Sequence, residues 1–199
     1  MKKALSLLLA SILLIPGLVS CNNDSNNEES VDNEPNTVII DVKDYGKITV
    51  ELYPDTAPIT VKNFKKLVKE NFYDGLTFHR VIEGFMIQGG CPNGNGTGGY
   101  TDSNGKKVTI KGEFSSNGVK NDLKHTRGVI SMARSTQPNS ASSQFFICHD
   151  DAPHLNGSYA AFGKVTEGMD VVDAIAAVAT NSSDKPLEAV VINSITFAE

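Results

Sequence analysis

No tryptophan occurs in this chain, cysteine appears only three times in 199 residues, and nowhere do lysines or arginines gather into a run. Each shortage removes a class of explanation. Without a basic patch there is no electrostatic footprint for nucleic acid, and no nucleic-acid partner is expected. Only Cys91 and Cys148 lie in the body of the chain, which is no disulfide framework. A bridge between them would need Cα atoms within about 7 Å, and two small, partly buried thiols are the simpler expectation. The one long apolar run, ALSLLLASILLIPGLV, is broken by Pro16 and Gly17 and is too short for a membrane span.

That run instead has the layout of a signal peptide, with Lys2 and Lys3 before it and Leu18-Val19-Ser20-Cys21 at its end. A small residue ahead of a cysteine, directly after the apolar region, resembles the bacterial lipobox, in which the cysteine is lipidated and becomes the mature N-terminus. Residues 1–20 are therefore read as a lipoprotein signal peptide and Cys21 as the lipidation site. The expected location is the extracytoplasmic face of the cell membrane, held by several acyl chains. An ordinary secretory signal with an incidental cysteine is the alternative. Residues 22–36, NNDSNNEESVDNEPN, carry five acidic groups, no basic group and one aliphatic side chain. Such a segment buries too little apolar surface to offset its ordering entropy, so 21–36 are expected to form a disordered acidic tether. Residues 37–199 hold 16 basic and 18 acidic residues. That is an ordinary balance in a length sufficient for one domain with a proper core.

Within 37–199 the runs TVIIDV (37–42) and KITVELY (47–53) flank Asp44-Tyr45-Gly46 and read as a β-hairpin. Ile59, Val61, Phe64, Leu67 and Val68 recur at helical spacing after Pro58, predicting a helix over about 58–70. Residues 76–88 read as two strands bent at Glu83-Gly84, leading into a polar, glycine-rich excursion over 89–124. Strands are predicted in GVISMA (128–133), SQFFICH (143–149), AAFGKV (160–165) and near 190–197, with a second helix over 169–178. Many strands and only two helices argue against a parallel βαβ sheet. A mainly β fold, a closed antiparallel barrel without exposed edges, is expected.

Several motifs fail on context. Gly94-Asn95-Gly96-Thr97-Gly98-Gly99 spells G-x-G-x-x-G, but the residues after it read as a turn and a strand, where a dinucleotide site requires a helix. His149, Asp150, Asp151 and His154 match no common zinc spacing, so no metal is expected. Ser131, Ser142 and Ser143 lack a nucleophile-elbow context, and no histidine is placed by sequence to activate them. One stretch is left, FHRVIEGFMIQGG (78–90). Its Arg80 is either a salt-bridged structural residue or the polar tool of an apolar site, since arginine is almost never buried unpaired. Period-two alternation puts Met86 and Gln88 on one face, with Phe85 reaching it from the bend. It also puts Gln144, Phe146 and Cys148 on one face and Phe145 and Ile147 on the other, toward the core. Aromatics and a methionine with a few polar groups describe a small-ligand or peptide pocket.

FHRVIEGFMIQGG, GNGTGG, HTRGVISMA, SQFFIC and FGKV, in that order, resemble the cyclophilin family of peptidyl-prolyl cis/trans isomerases over nearly all of 37–199. The resemblance implies a closed eight-stranded antiparallel β-barrel capped by two α-helices, with the site in a groove on its outer face. It implies Arg80, Phe85 and Gln88 as catalytic residues. Met86, Thr97, Ala133, Arg134, Gln144, Phe146, His154, Leu155 and Tyr159 would bind substrate, with Gln88 supporting Arg80 and the peptide backbone. His154 stands where the best-known eukaryotic members carry tryptophan, and Tyr159 where they carry histidine, which puts strong cyclosporin binding in doubt. The expected function is isomerisation of X-Pro bonds in exported polypeptides at the membrane surface, by a monomer with no cofactor. A non-catalytic proline-peptide module using the same groove is the runner-up. A sugar- or wall-binding protein, resting on an exposed Tyr100 and asparagine-rich loops, is a third reading.

Overall fold

Eight antiparallel strands form a single sheet in the order β3-β4-β6-β5-β7-β2-β1-β8 in the computed structural model, which describes residues 31–198. Strands β1 (Thr37–Val42) and β2 (Gly46–Leu52) make the expected hairpin, and their alternation sends Val38, Ile40, Val42, Ile48, Val50 and Leu52 inward. The second hairpin pairs β3 (Arg80–Ile82) with β4 (Met86–Gly89) across the Glu83-Gly84 bend. Strands β5 (Val129–Met132), β6 (Phe145–Cys148), β7 (Ala161–Glu167) and β8 (Ile192–Phe197) complete the sheet. Helix α1 (Pro58–Lys69) buries the stripe Val61, Phe64, Leu67 and Val68, and α2 (Met169–Ala176) buries Val171, Val172 and Ile175. Between sheet and helices lies an aromatic core in which Phe64 meets Tyr73, Phe145 and Phe162 at ring separations of 5.2, 5.6 and 5.3 Å.

The expected closed barrel is corrected to a curled half-barrel. Strands β3 and β8 end the sheet, and only their flanks meet, through the Thr77–Val191 bridge and bonds such as Phe78 N–H to the Val190 carbonyl (2.9 Å). Beyond Phe78 the opposing chain turns back on itself, with Thr180 bridged to Pro186, and no ladder extends along β3. The turn covers that edge instead: Val81 N–H donates to the Asp184 carbonyl (2.8 Å).

The tether boundary also moves. Cys21 and residues 1–30 lie outside the described residues, but residues 31–36 lie folded against α1. Val31 is buried there, Lys65 Nζ donates to the Glu34 carbonyl and to Asn36 Oδ1 (both 2.7 Å), and Lys69 pairs with Glu34 at 3.0 Å. Lysines three to four residues apart on one helix face meet the acidic segment, an arrangement composition alone did not reveal. The 89–124 excursion is anchored as well. The buried Glu113 carboxylate accepts from Ile59 N–H (3.0 Å), Thr60 N–H (2.8 Å) and Thr60 Oγ (2.7 Å), capping α1 from another part of the chain. Among the described residues no helix is long and apolar enough to cross a membrane.

Candidate functional site

The register of the second hairpin sets Arg80 directly opposite Gln88, so both side chains leave the same face of the sheet. One strand further, Gln88 lies opposite Phe146 and Met86 opposite Cys148, while Ile87, Phe145 and Ile147 turn to the core. A second apolar cluster thus forms on the outer face, from Met86, Val129, Phe146, Cys148, Ala152, Leu155 and Ala161, with Phe85, Ala133 and Tyr159 against it. It floors a hollow of about 170 Å³ lined by Arg80, Phe85, Met86, Gln88, Ala133, Arg134, Phe146, Leu155 and Tyr159. A second hollow of about 340 Å³ shares Gln88, Ala133 and Arg134 with the first and is otherwise polar, with Thr97, Lys107 and Gln144 among its lining. Of the expected site residues, Thr97 and Gln144 line the second hollow and His154 lines neither. His154 is exposed, with its ring 5.4 Å from that of Phe85.

The two arginines of the hollow are held differently. Arg134 is a strut: Nε and Nη2 donate to the Ser158 carbonyl (3.0 and 2.9 Å) and Nη1 to the Ser135 carbonyl (2.8 Å). Its guanidinium lies over the rings of Tyr159 (4.6 Å) and Phe114 (5.1 Å). Arg80 is only half-buried and is paired through Nε with Asp184 Oδ2 at 3.3 Å. The alternatives for Arg80 therefore coexist, because an acidic partner holds the side chain while it still lines the hollow. Gln88 does not hydrogen-bond Arg80 as expected. Its Nε2 donates to Gln144 Oε1 (2.9 Å), and Gln144 Nε2 donates in turn to the carbonyls of Gly96 (2.9 Å) and Gly98 (2.7 Å). The register explains this, since Gln88 lies opposite Phe146 and Gln144 is two residues before it, on the same face. The same bonds turn carbonyls of the G-x-G-x-x-G loop inward, opposite to a phosphate cradle.

Three residues escaped the sequence reading. Asp184 is one, being 104 positions from Arg80. The others are His125 and Asn156. His125 Nε2 lies 3.0 Å from Ser131 Oγ, and Nδ1 lies 3.2 Å from Asn156 Oδ1, the layout of nucleophile, base and orienter. Ser131 and His125 are buried from any substrate, so the set is structural. Because an amide oxygen only accepts, Nδ1 carries the proton and Nε2 accepts from Ser131. The ring stacks beneath Phe146 (6.0 Å, 18°), and burial above all holds its pKa below the ordinary value.

Two of the polar groups weighed for metal are engaged elsewhere. His149 Nδ1 accepts from Gly84 N–H (2.9 Å) while Nε2 faces Asp173 (3.2 Å), and Asp151 accepts from Arg127 N–H (2.9 Å). Among the described residues no three histidine, cysteine or acidic side chains gather to hold a metal. Cys91 and Cys148 are both free and buried. Tyr100, expected to be exposed, is partly buried with its ring edge-on to Phe72 (5.4 Å), which removes one of the two features behind the sugar-binding reading.

Residues 37–197 match the family described as cyclophilin type peptidyl-prolyl cis-trans isomerase/CLD. The chain is 51% identical over 129 residues to peptidyl-prolyl cis-trans isomerase B of Bacillus subtilis, covering 65% of this chain and 82% of that one. It is 42% identical over 153 residues to a peptidyl-prolyl cis-trans isomerase of Arabidopsis thaliana, covering 76% and 90%. Among solved structures, a cyclophilin type isomerase of Cryptosporidium parvum, crystallised in the presence of the dipeptide Ala-Pro, superposes with a TM-score of 0.73 at 34% identity. That match covers 82% of this chain and 99% of the other.

Proposed function

The chain belongs to the cyclophilin-type peptidyl-prolyl cis-trans isomerase family, and from that premise we propose that it isomerises X-Pro bonds in the Arg80 hollow by stabilising the twisted amide. Rotation about an X-Pro bond crosses a barrier of about 20 kcal/mol because it breaks amide conjugation. In the twisted state the prolyl nitrogen regains a lone pair that accepts a hydrogen bond; the planar nitrogen has none to offer. A guanidinium aimed at that nitrogen binds the transition state better than either ground state, and only such differential binding speeds the step. Phe85, Met86, Phe146 and Leu155 hold the pyrrolidine ring and exclude water, which strengthens the Arg80 interaction. Gln88, Gln144 and Thr97 border the polar hollow alongside, where the preceding peptide lies. Rotation about a bond calls for no nucleophile and no proton transfer.

The observation that carries this reading is one hollow holding both a half-exposed guanidinium and an apolar cradle of one small ring's size. Exchange NMR on an X-Pro peptide tests it. Arg80→Ala is expected to lower turnover about 100- to 1000-fold, the usual effect of deleting one transition-state donor; equal turnover by the two proteins overturns the assignment.

We further propose that the enzyme acts on exported polypeptides at a membrane surface, anchored through lipidated Cys21. The leader MKKALSLLLASILLIPGLVSC supports this. Mass spectrometry of the mature protein is expected to find an acylated N-terminal Cys21, and a free N-terminus elsewhere would refute the anchor. Action as a monomer is proposed as well, to be checked by sedimentation.

A further inference from the structure

Asp184 grips β3 twice. Its carboxylate takes Arg80 Nε at 3.3 Å, and its carbonyl takes the N–H of the next residue, Val81, at 2.8 Å. The turn that presents it is bonded to itself. Asn181 N–H donates to the Lys185 carbonyl (2.9 Å) and Asp184 N–H to the Asn181 carbonyl (3.0 Å). Asn181 Oδ1 accepts from Ser183 N–H (2.9 Å) and Lys185 N–H (3.1 Å). Asp184 itself is left-handed (φ 60°), a conformation aspartate tolerates better than most residues.

Stability does not explain this construction. Both side chains of the pair are about 40% exposed, and ion pairs this open to water add little to folding. Geometry does explain it. An arginine carries five N–H donors, and a bond at Nε engages one of them, leaving those on Nη1 and Nη2 for another acceptor. Arg134, with Nε, Nη1 and Nη2 each bonded to a carbonyl, has a smaller reserve. Pairing at Nε also orients the planar fork, which a flexible side chain would not achieve alone. We infer that Asp184 is a positioning residue for isomerisation, holding Arg80 by Nε so that its outer donors face the prolyl nitrogen, and that the 181–185 turn thereby belongs to the active site. This rests on the proposed role of Arg80.

A double-mutant cycle separates the two ideas. By exchange NMR on one X-Pro peptide, Asp184→Ala is expected to lower kcat about 10- to 100-fold with KM little changed, as a misaimed catalytic group does. Asp184→Asn, which tolerates the same backbone conformation and keeps an oxygen acceptor, is expected to fall between it and wild type. The Arg80 Nε–H resonance is expected to move in both variants, with Tm held within a degree or two in Asp184→Asn, which suits the left-handed backbone. In the Arg80→Ala background, adding Asp184→Ala is expected to change nothing. An equal further loss there, or full kcat in both Asp184 variants, overturns the positioning role. Full activity of Arg80→Ala alone instead overturns the reading beneath it.

Discussion

Phe145 and Phe146 are neighbours in β6 and serve opposite sides of the sheet. Phe145 is sealed among Phe64, Tyr73 and Phe78, with ring separations of 5.6, 5.5 and 6.1 Å. Phe146 has His125 beneath it, Tyr159 at its edge (6.0 Å, 81°) and the hollow above. The inner ring is surrounded by partners; the outer one is supported from below and leaves a face for a ligand. One strand thus divides stability from chemistry by alternation alone, and the outer face retains a concavity because its supports, Leu155 and Tyr159, come from the loop between β6 and β7.

The sharpest way to break this comparison is to truncate each ring in turn. Phe145→Ala is expected to cost about 3–5 kcal/mol of stability by urea unfolding, with near-normal turnover in whatever remains folded. Phe146→Ala is expected to cost about 3 kcal/mol, the lower end of the same range, since this ring is also buried but borders the hollow, while turnover collapses. The same losses in both readouts for both variants would mean that the two faces are not separate. Next comes Arg134→Lys, which keeps the charge but loses the planar fork: about 1–2 kcal/mol of stability should go, and KM should rise as the Tyr159 wall loosens. Unchanged stability would show that the strut is ornamental.

A smaller effect is expected from pH. Burial, first among the causes, lowers the pKa of both His79 and His125 below their ordinary 6.5. The unfolded chain therefore binds more protons, and the stability these rings contribute is complete above pH 6.5 and is lost as pH falls through it toward the folded values. His125→Asn should flatten that dependence in chemical denaturation measured from pH 7 to 5. The smallest effect concerns the thiols. Burial, then the Asp151 charge, pushes Cys148 up to about 12. Burial alone would raise Cys91 too, but the backbone N–H groups of Asn95, Gly98, Asn93 and Gly96 outweigh it and lower that thiol. A small alkylating reagent is expected to label Cys91 before Cys148, as read by peptide mapping; the reverse order would place the loop above the strand in local stability.

Much of this was legible in one dimension wherever a local period governs. The α1 stripe and the β1–β2 hairpin follow from side-chain spacing, and so does the division of β6 between its faces. The half-barrel's open seam was not legible, because it depends on how the turn bridged by Thr180 and Pro186 meets β3. The packing of residues 31–36 on α1 was hidden for a related reason: composition counts charges but does not say which lysines face them. Gln88 found Gln144 in place of Arg80 because side-chain partnership across strands depends on reach as well as on register.

From the chain alone came the family, the strand faces and the identity of the arginine, since motifs and alternation are local properties that any folded copy must express. Tertiary structure decided what holds that arginine and what lies beneath the ring beside it. Asp184 is 104 residues from Arg80, and Asn156 is 31 from His125. Contacts at such separations exist only once the sheet has curled and brought distant turns to its edge.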